Sequence, residues 1–122
     1  MFIRPLYQRV VKRLTAPRVF MQVLAGPRQV GKTTLAHQIR ELLPCPTHYA
    51  SADGSSLFDS AWIEQQWTTG RQLAKQSNDK LGALLILDEI QKIPFWPDVV
   101  KKLWDEDTAH NINLKVMILG SS

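Results

Sequence analysis

Two short stretches of this sequence combine residue types that handle phosphate and a divalent metal. The first is Gly26-Pro27-Arg28-Gln29-Val30-Gly31-Lys32-Thr33, followed by Thr34. Glycines at its two ends let the backbone turn tightly and approach a polyanion, so that successive N–H groups point inward as an anion nest. A lysine directly after the second glycine brings a mobile point charge to the β- and γ-phosphates, and the neighbouring hydroxyl is suited to ligate magnesium. The second stretch is Leu84-Leu85-Ile86-Leu87-Asp88-Glu89, an apolar run that ends in two adjacent carboxylates. Asp88 is suited to hold magnesium through a water, and Glu89 to orient or deprotonate an attacking water. A third run, Val116-Met117-Ile118-Leu119-Gly120-Ser121-Ser122, delivers two hydroxyls, of which Ser121 or Ser122 is the candidate for sensing a terminal phosphate. These stretches predict a Mg-ATP site. The nucleotide contacts run through Gly26, Pro27, Arg28, Gln29, Val30, Gly31, Lys32, Thr33 and Thr34. The metal falls to Thr33 and Asp88, and catalysis to Lys32, Glu89 and Ser121.

Such residues act together only if the chain brings them to one place. Val19–Ala25 is a short apolar run ended by Gly26-Pro27, which predicts a buried strand. Lys32–Leu43 reads as a helix stopped by Pro44, so the glycine-rich loop joins a strand to a helix, the context this motif requires. His48–Ser51 is a weaker strand, Ser60–Lys75 a helix anchored by Trp62, Trp67 and Leu73, and Gly82–Leu87 a strongly apolar strand. Pro97–Asp105 predicts a helix with proline at its start, Asp98 in its first turn, and Val99, Val100, Leu103 and Trp104 on one face. Leu114–Leu119 predicts a last strand, and Ile3–Leu14 an amphipathic helix with Arg9, Lys12 and Arg13 on its polar side. Alternation of near-continuously apolar strands with helices implies an α/β fold, a parallel sheet covered on both faces. Asp88 and Glu89 then emerge at the carboxyl end of their strand, where such sheets place ligands.

Composition narrows the class. A chain of 122 residues with 44% hydrophobic and 21% charged residues suits one globular domain. Its longest apolar run, Ala83–Leu87, is far short of the roughly 18 residues that span a bilayer, so no membrane partner is expected, and the N-terminus does not read as a secretory signal. The single cysteine, Cys45, fits a reducing cytoplasm and reads as a small loop residue between Pro44 and Pro46; His37, His48 and His110 show no metal-ligand spacing. Residues 1–40 hold eight basic residues and no acid, whereas the remaining seven basic residues share the rest of the chain with all eleven acids. The first third therefore carries +8 and the remainder −4. A solvated helix face beside a phosphate site accounts for this asymmetry, with a nucleic-acid partner as the alternative. No Asn/Thr-Lys-x-Asp motif for guanine is present, and a glutamate after the metal aspartate is unusual in small-molecule kinases, which leaves an ATPase. Two other readings stay open: a nucleotide-dependent switch with little turnover, and a nucleic-acid binder using the basic first third. Trp62, Trp67, Trp96 and Trp104 read as packing anchors rather than base-stacking platforms. Arg28 reads as an exposed loop arginine within the phosphate loop, and Gln91 and Lys92 are placed near enough to the acidic pair to feel a γ-phosphate.

Gly26-Pro-Arg-Gln-Val-Gly-Lys-Thr-Thr-Leu35, Leu87-Asp-Glu-Ile-Gln-Lys-Ile-Pro94 and Leu119-Gly-Ser-Ser122 together resemble a bacterial and archaeal family of AAA-type P-loop ATPases, whose members commonly carry a further C-terminal domain. The resemblance implies an AAA-like three-layer sandwich, ATP as nucleotide and Mg²⁺ as metal. It implies that Lys32 and Thr33 belong to Walker A, Asp88 and Glu89 to Walker B, and Ser121 or Ser122 to a sensor-like position, with Leu119 standing where the family commonly has threonine. It divides the chain into a leading helix over 1–18 and a nucleotide-binding core over 19–122. A complete module of this type also has a fifth strand, a helical lid and often a second sensor arginine, so the chain resembles the family's N-terminal part. In the usual strand order, 5-1-4-3-2, the strand at Val19–Ala25 is then an apolar edge, which favours pairing with another chain. The expected outcome is self-association or marginal stability; sedimentation velocity at low and high salt checks it, and a stable, salt-insensitive monomer is the contrary result.

Overall fold

A computed structural model describes residues 9, 11–13, 21–26, 31–53 and 59–121. Four strands and three helices alternate along it: β1 (Gln22–Gly26), α1 (Lys32–Leu42), β2 (Thr47–Ser51), α2 (Ser60–Gln76), β3 (Ala83–Asp88), α3 (Trp96–Ala109) and β4 (Leu114–Ser121). A short 3₁₀ turn, Ile90–Lys92, lies between β3 and α3. The elements predicted from Val19 onward form, with ends shifted by a few residues. The last helix runs from Trp96 to Ala109, longer than the Pro97–Asp105 read from the sequence, because Asp107 is drawn into the protein by the partners described below. The predicted N-terminal helix falls largely outside the described residues; Arg9 and 11–13 are helical, with Arg9, Lys12 and Arg13 exposed and Val11 packed inward.

All strand pairs are parallel, in the order β1-β4-β3-β2. This is the predicted α/β sheet, with β1 next to β4. The chain first crosses from β1 at one side to β2 at the other, then returns through β3 to β4. Right-handed crossovers that reverse direction must place their helices on opposite faces. Accordingly α1 lies on one face and α2 and α3 on the other. Leu35, Ala36, Ile39 and Leu43 of the α1 segment meet Leu84, Ile86, Met117 and Leu119. On the opposite face Ile63, Trp67, Val100, Leu103 and Trp104 meet Ala83, Leu85, Leu87, Leu114, Val116 and Ile118. Alternate residues of β3 and β4 thus serve two different cores. That is why Ala83–Asp88 is buried at every position and reads as a continuous apolar run rather than an alternating one.

The tryptophans are packing residues, as read from their spacing. Trp67 is fully buried and Trp104 nearly so, while Trp62 and Trp96 lie partly buried against the same core. Cys45 is also buried in the core beneath α1. Burial, and secondarily the Asp79 carboxylate, push its thiol above the usual cysteine range, which suits a packing role rather than a nucleophile.

One polar cluster is buried with this core. The Asp107 carboxylate is inaccessible to solvent; it accepts from Trp67 Nε1 at 2.8 Å and from Arg71 Nε at 2.5 Å. Arg71 Nη2 donates onward to the Leu103 carbonyl at 3.1 Å and the Glu106 carboxylate at 3.3 Å. A buried carboxylate is tolerated only when paired and hydrogen-bonded, so this cluster fixes α2 against α3 in one relative position. Removing one partner of a buried pair costs about 3–5 kcal/mol, and the partial exposure of Arg71 favours the lower end. Asp107→Ala is therefore expected to lose about 3 kcal/mol of stability, read from the urea midpoint at constant slope, with Asp107→Asn losing less because it keeps an acceptor for Trp67.

Candidate functional site

The carboxyl edge of the sheet collects the residues singled out for chemistry. Gly26 ends β1 and pairs in register with Ser121 of β4, while Leu87 of β3, one residue before Asp88, pairs with Ile118. The ends of three adjacent strands therefore lie side by side. Pro27–Val30 lie outside the described residues, as does Ser122. For Lys32, Thr33 and Ser121 the backbone is described but not the side chain.

Gly31 begins α1 in the left-handed conformation, with φ 77° and ψ 28°. A side chain there would be strained, so glycine is what permits the chain to turn from the loop directly into the helix. No described side chain caps this helix, and its first turn holds no acid. The first N–H groups of a helix have no intrahelical partner and carry the positive end of its dipole, so the arrangement suits an anion. Lys32, Thr33 and Thr34 form that first turn, with Thr34 exposed.

Asp88 is the last residue of β3 and is only 2% exposed. Its carboxylate is held from two sides: the backbone N–H of Glu89 donates to Oδ1 at 2.9 Å, and the Tyr49 hydroxyl donates to Oδ2 at 2.5 Å. Its carbonyl accepts from Ala52 N–H at 3.0 Å, which ties the end of β3 to the residue after β2. Tyr49 is a residue the sequence reading missed. It comes from a strand read only weakly, and nothing in the sequence states that Ser51 and Asp88 are in register. Its ring lies 5.0 Å from the His37 ring of α1, so the tyrosine spans from the helix behind the phosphate loop to the candidate metal carboxylate. The one available signal was strand alternation, which sets Tyr49 and Ser51 on a common face.

After Asp88 the backbone kinks. Glu89 takes the left-handed conformation, φ 56° and ψ 39°, which costs a residue with a side chain about 1–2 kcal/mol. The 3₁₀ turn that follows repays this by burying Ile90 and Ile93, at 1% and 0% exposure. The kink lifts Glu89 out of the strand line at the sheet edge, where it is half-buried. Gln91 Nε2 donates to Glu89 Oε2 at 2.5 Å, and Lys92 pairs with Asp53. The structure thus turns Gln91 and Lys92, read as γ-phosphate contacts, toward protein carboxylates. Gly120 of β4 lies under Gln91: a Cβ there would stand 3.2 Å from Gln91 Oε1.

Magnesium is commonly held by one or two carboxylates, with phosphate oxygens and waters completing its shell. A single fixed carboxylate beside a helix N-terminus fits that pattern. Among the described residues no group of three or more His, Cys, Asp and Glu is placed to hold a metal by protein ligands alone. Among them, too, no helix is long and apolar enough to cross a membrane.

Comparison with known proteins agrees with this layout. The family model described as an AAA domain matches residues 20–122. The chain belongs to the AAA domain family. That makes it an AAA-type module of the nucleotide-binding ATPase kind. Among solved structures it is similar to a single-substitution variant of RuvB from Thermotoga maritima, with a TM-score of 0.51 and 22% identity over 95% of this chain. That likeness concerns the fold. The chain spans 34% of the length of the RuvB chain. No curated protein matches it.

Tyr49→Phe tests the hold on Asp88. It removes one hydroxyl and leaves a buried carboxylate oxygen short of a donor, at an expected cost of about 1–3 kcal/mol. The measurement is the chemical-denaturation midpoint, compared with a Tyr→Phe change at Tyr7 as a control for the substitution itself.

Proposed function

We propose that this AAA module binds Mg-ATP at the carboxyl edge of its sheet and that the complete protein hydrolyses it to drive a conformational change. The observation that carries the reading is the convergence of an uncapped, glycine-headed helix N-terminus with the Asp88-Glu89 strand end. An anion site and a fixed carboxylate pair side by side match a metal-bound polyphosphate better than any other common ligand. Family membership supports the same nucleotide class.

In this reading the backbone N–H groups of Gly26, Arg28, Gln29, Val30 and Gly31 cradle the phosphates, while Pro27, which has no N–H, shapes the loop. Lys32 adds a charge at the γ-phosphoryl oxygens, and Thr34 completes the helix turn facing the anion. Thr33 and Asp88 hold Mg²⁺, which when bound neutralises charge between the phosphates. Glu89 orients the attacking water and accepts its proton. Ser121 meets the terminal phosphate from the end of β4. Residues 1–18 serve as a leading helix to a nucleotide-binding core over 19–122. An arginine supplied from outside the site contributes about 10³–10⁵ in rate in related phosphoryl transfers, so full turnover belongs to the complete, self-associated protein.

Calorimetry with Mg-ATP and Mg-ADP on the chain and on Lys32→Ala tests the phosphate site. The expected result is binding that weakens at least about tenfold in the variant, equivalent to about 1.4 kcal/mol; equal affinity in both removes the site. Glu89→Gln is expected to keep nucleotide affinity and to lose about 10²–10⁴ in turnover, measured by phosphate release. Unchanged slow turnover identifies a nucleotide-dependent switch instead.

A further inference from the structure

We propose that Gln91 is a positioning residue for Glu89, holding the carboxylate at the carboxyl edge through its side-chain amide and using the space left by Gly120. The consequence for catalysis rests on the nucleotide reading above. Three observations carry the proposal. Gln91 Nε2 donates to Glu89 Oε2 at 2.5 Å, a bond to a charged acceptor and so stronger than a neutral one. Glu89 sits in a left-handed backbone conformation that sends its side chain away from the strand line, where a half-buried acid and an exposed glutamine would otherwise explore several rotamers. The other end of the same amide, Oε1, lies over Gly120, at a distance where an added Cβ would force it to move.

An exposed hydrogen bond between neighbouring side chains is ordinarily weak. Here both ends are restricted by different elements. The buried Ile90 and Ile93 fix the backbone of the turn that carries Gln91, and β4 supplies the floor under its amide. Gln91 therefore joins the acid at the end of β3 to the strand whose next residue is Ser121. This differs from a direct contact with phosphate, because the role argued here runs through the Nε2 bond to a protein carboxylate.

The test uses the full chain. Steady-state ATP hydrolysis is measured for the parent, for Gln91→Glu (the same shape without a donor), for Glu89→Gln and for the double variant. The expected result for Gln91→Glu is a kcat about tenfold lower with KM within about twofold, since positioning acts on the reacting geometry rather than on uniform binding. In the Glu89→Gln background the same change is expected to cost nothing further, because the two residues act as a unit. Gly120→Ala, which displaces the amide from the other side, is expected to lower kcat in the same direction. An unchanged kcat in Gln91→Glu, or an equal loss with and without Glu89, overturns the proposal. A second arm does not depend on turnover: in proton–nitrogen spectra one side-chain amide proton of Gln91 is expected downfield in the parent and at the solvent-exposed position in Glu89→Ala. Identical positions in both proteins overturn the proposal. A parent that binds no Mg-ATP removes the nucleotide reading instead, and the spectra still decide whether Gln91 holds Glu89.

Discussion

The constraint on which this structure depends is the burial of β3 and β4 on both faces. Strands covered on both sides cannot leave backbone groups unpaired, so each must be bonded along its length to a neighbour. Parallel pairing then forces every carboxyl end to the same edge, because parallel strands share one direction. Gly26, Asp88 and Ser121 are far apart in sequence, yet they meet because each ends a strand of one parallel sheet. The reversal at β2 of the direction in which the chain crosses the sheet separates α1 from α2 and α3. This leaves the edge open between a helix N-terminus on one side and the β3 turn on the other.

Two polar clusters among the described residues use opposite solutions. Around Asp107, the enclosed carboxylate takes one donor from Trp67 and one from the partly exposed Arg71, and the result is a fixed helix pair. Around Asp88, the carboxylate is just as buried but stands at the mouth of the sheet, and its neighbour Glu89 leaves the core through a strained backbone. Strain of about 1–2 kcal/mol persists only where surrounding packing over-determines it, and Ile90 and Ile93 supply that packing. Rigid support below and a half-exposed acid above suits the role proposed for Glu89, since an acid that orients water must reach it without wandering.

Much of this was legible in the sequence, and the reasons are physical. Val116–Leu119 and Ala83–Leu87 could only be strands buried on both faces, because each is too short for a helix and apolar at successive positions. Gly31 was legible as a backbone requirement, and its φ of 77° is the conformation that glycine tolerates. Asp88 and Glu89 were legible because two acids after five apolar residues mark where the strand ends. The Asp107 cluster was not legible. A charged residue near a helix end reads as solvated, and only the tertiary approach of Trp67 and Arg71 makes burial tolerable. Tyr49 was hidden for a related reason: its function depends on register between two strands, and register is set by packing rather than by composition. Gln91 was noticed, but its bond to Glu89 was not foreseen, since the left-handed turn at Glu89 that brings the two side chains together has no sequence signature in a non-glycine residue.

Tyr49 also bears on how the two halves of the candidate site are related. Its ring packs beside His37 of α1, and its hydroxyl fixes Asp88. The helix that opens at Gly31 and the strand that closes at Asp88 are therefore braced by one side chain from β2, the strand on the far side of β3. A displacement of α1 along its axis moves His37 against that ring, and the hydroxyl cannot follow without loosening its bond to the carboxylate. Glu89 is braced differently, by Gln91 resting on β4. The two adjacent acids thus take their positions from strands on opposite sides of β3, Asp88 from β2 and Glu89 from β4. Small shifts between strands at this edge change the separation of the two carboxylates, and under the proposed function a metal-bound phosphate beside them has a direct means of setting it.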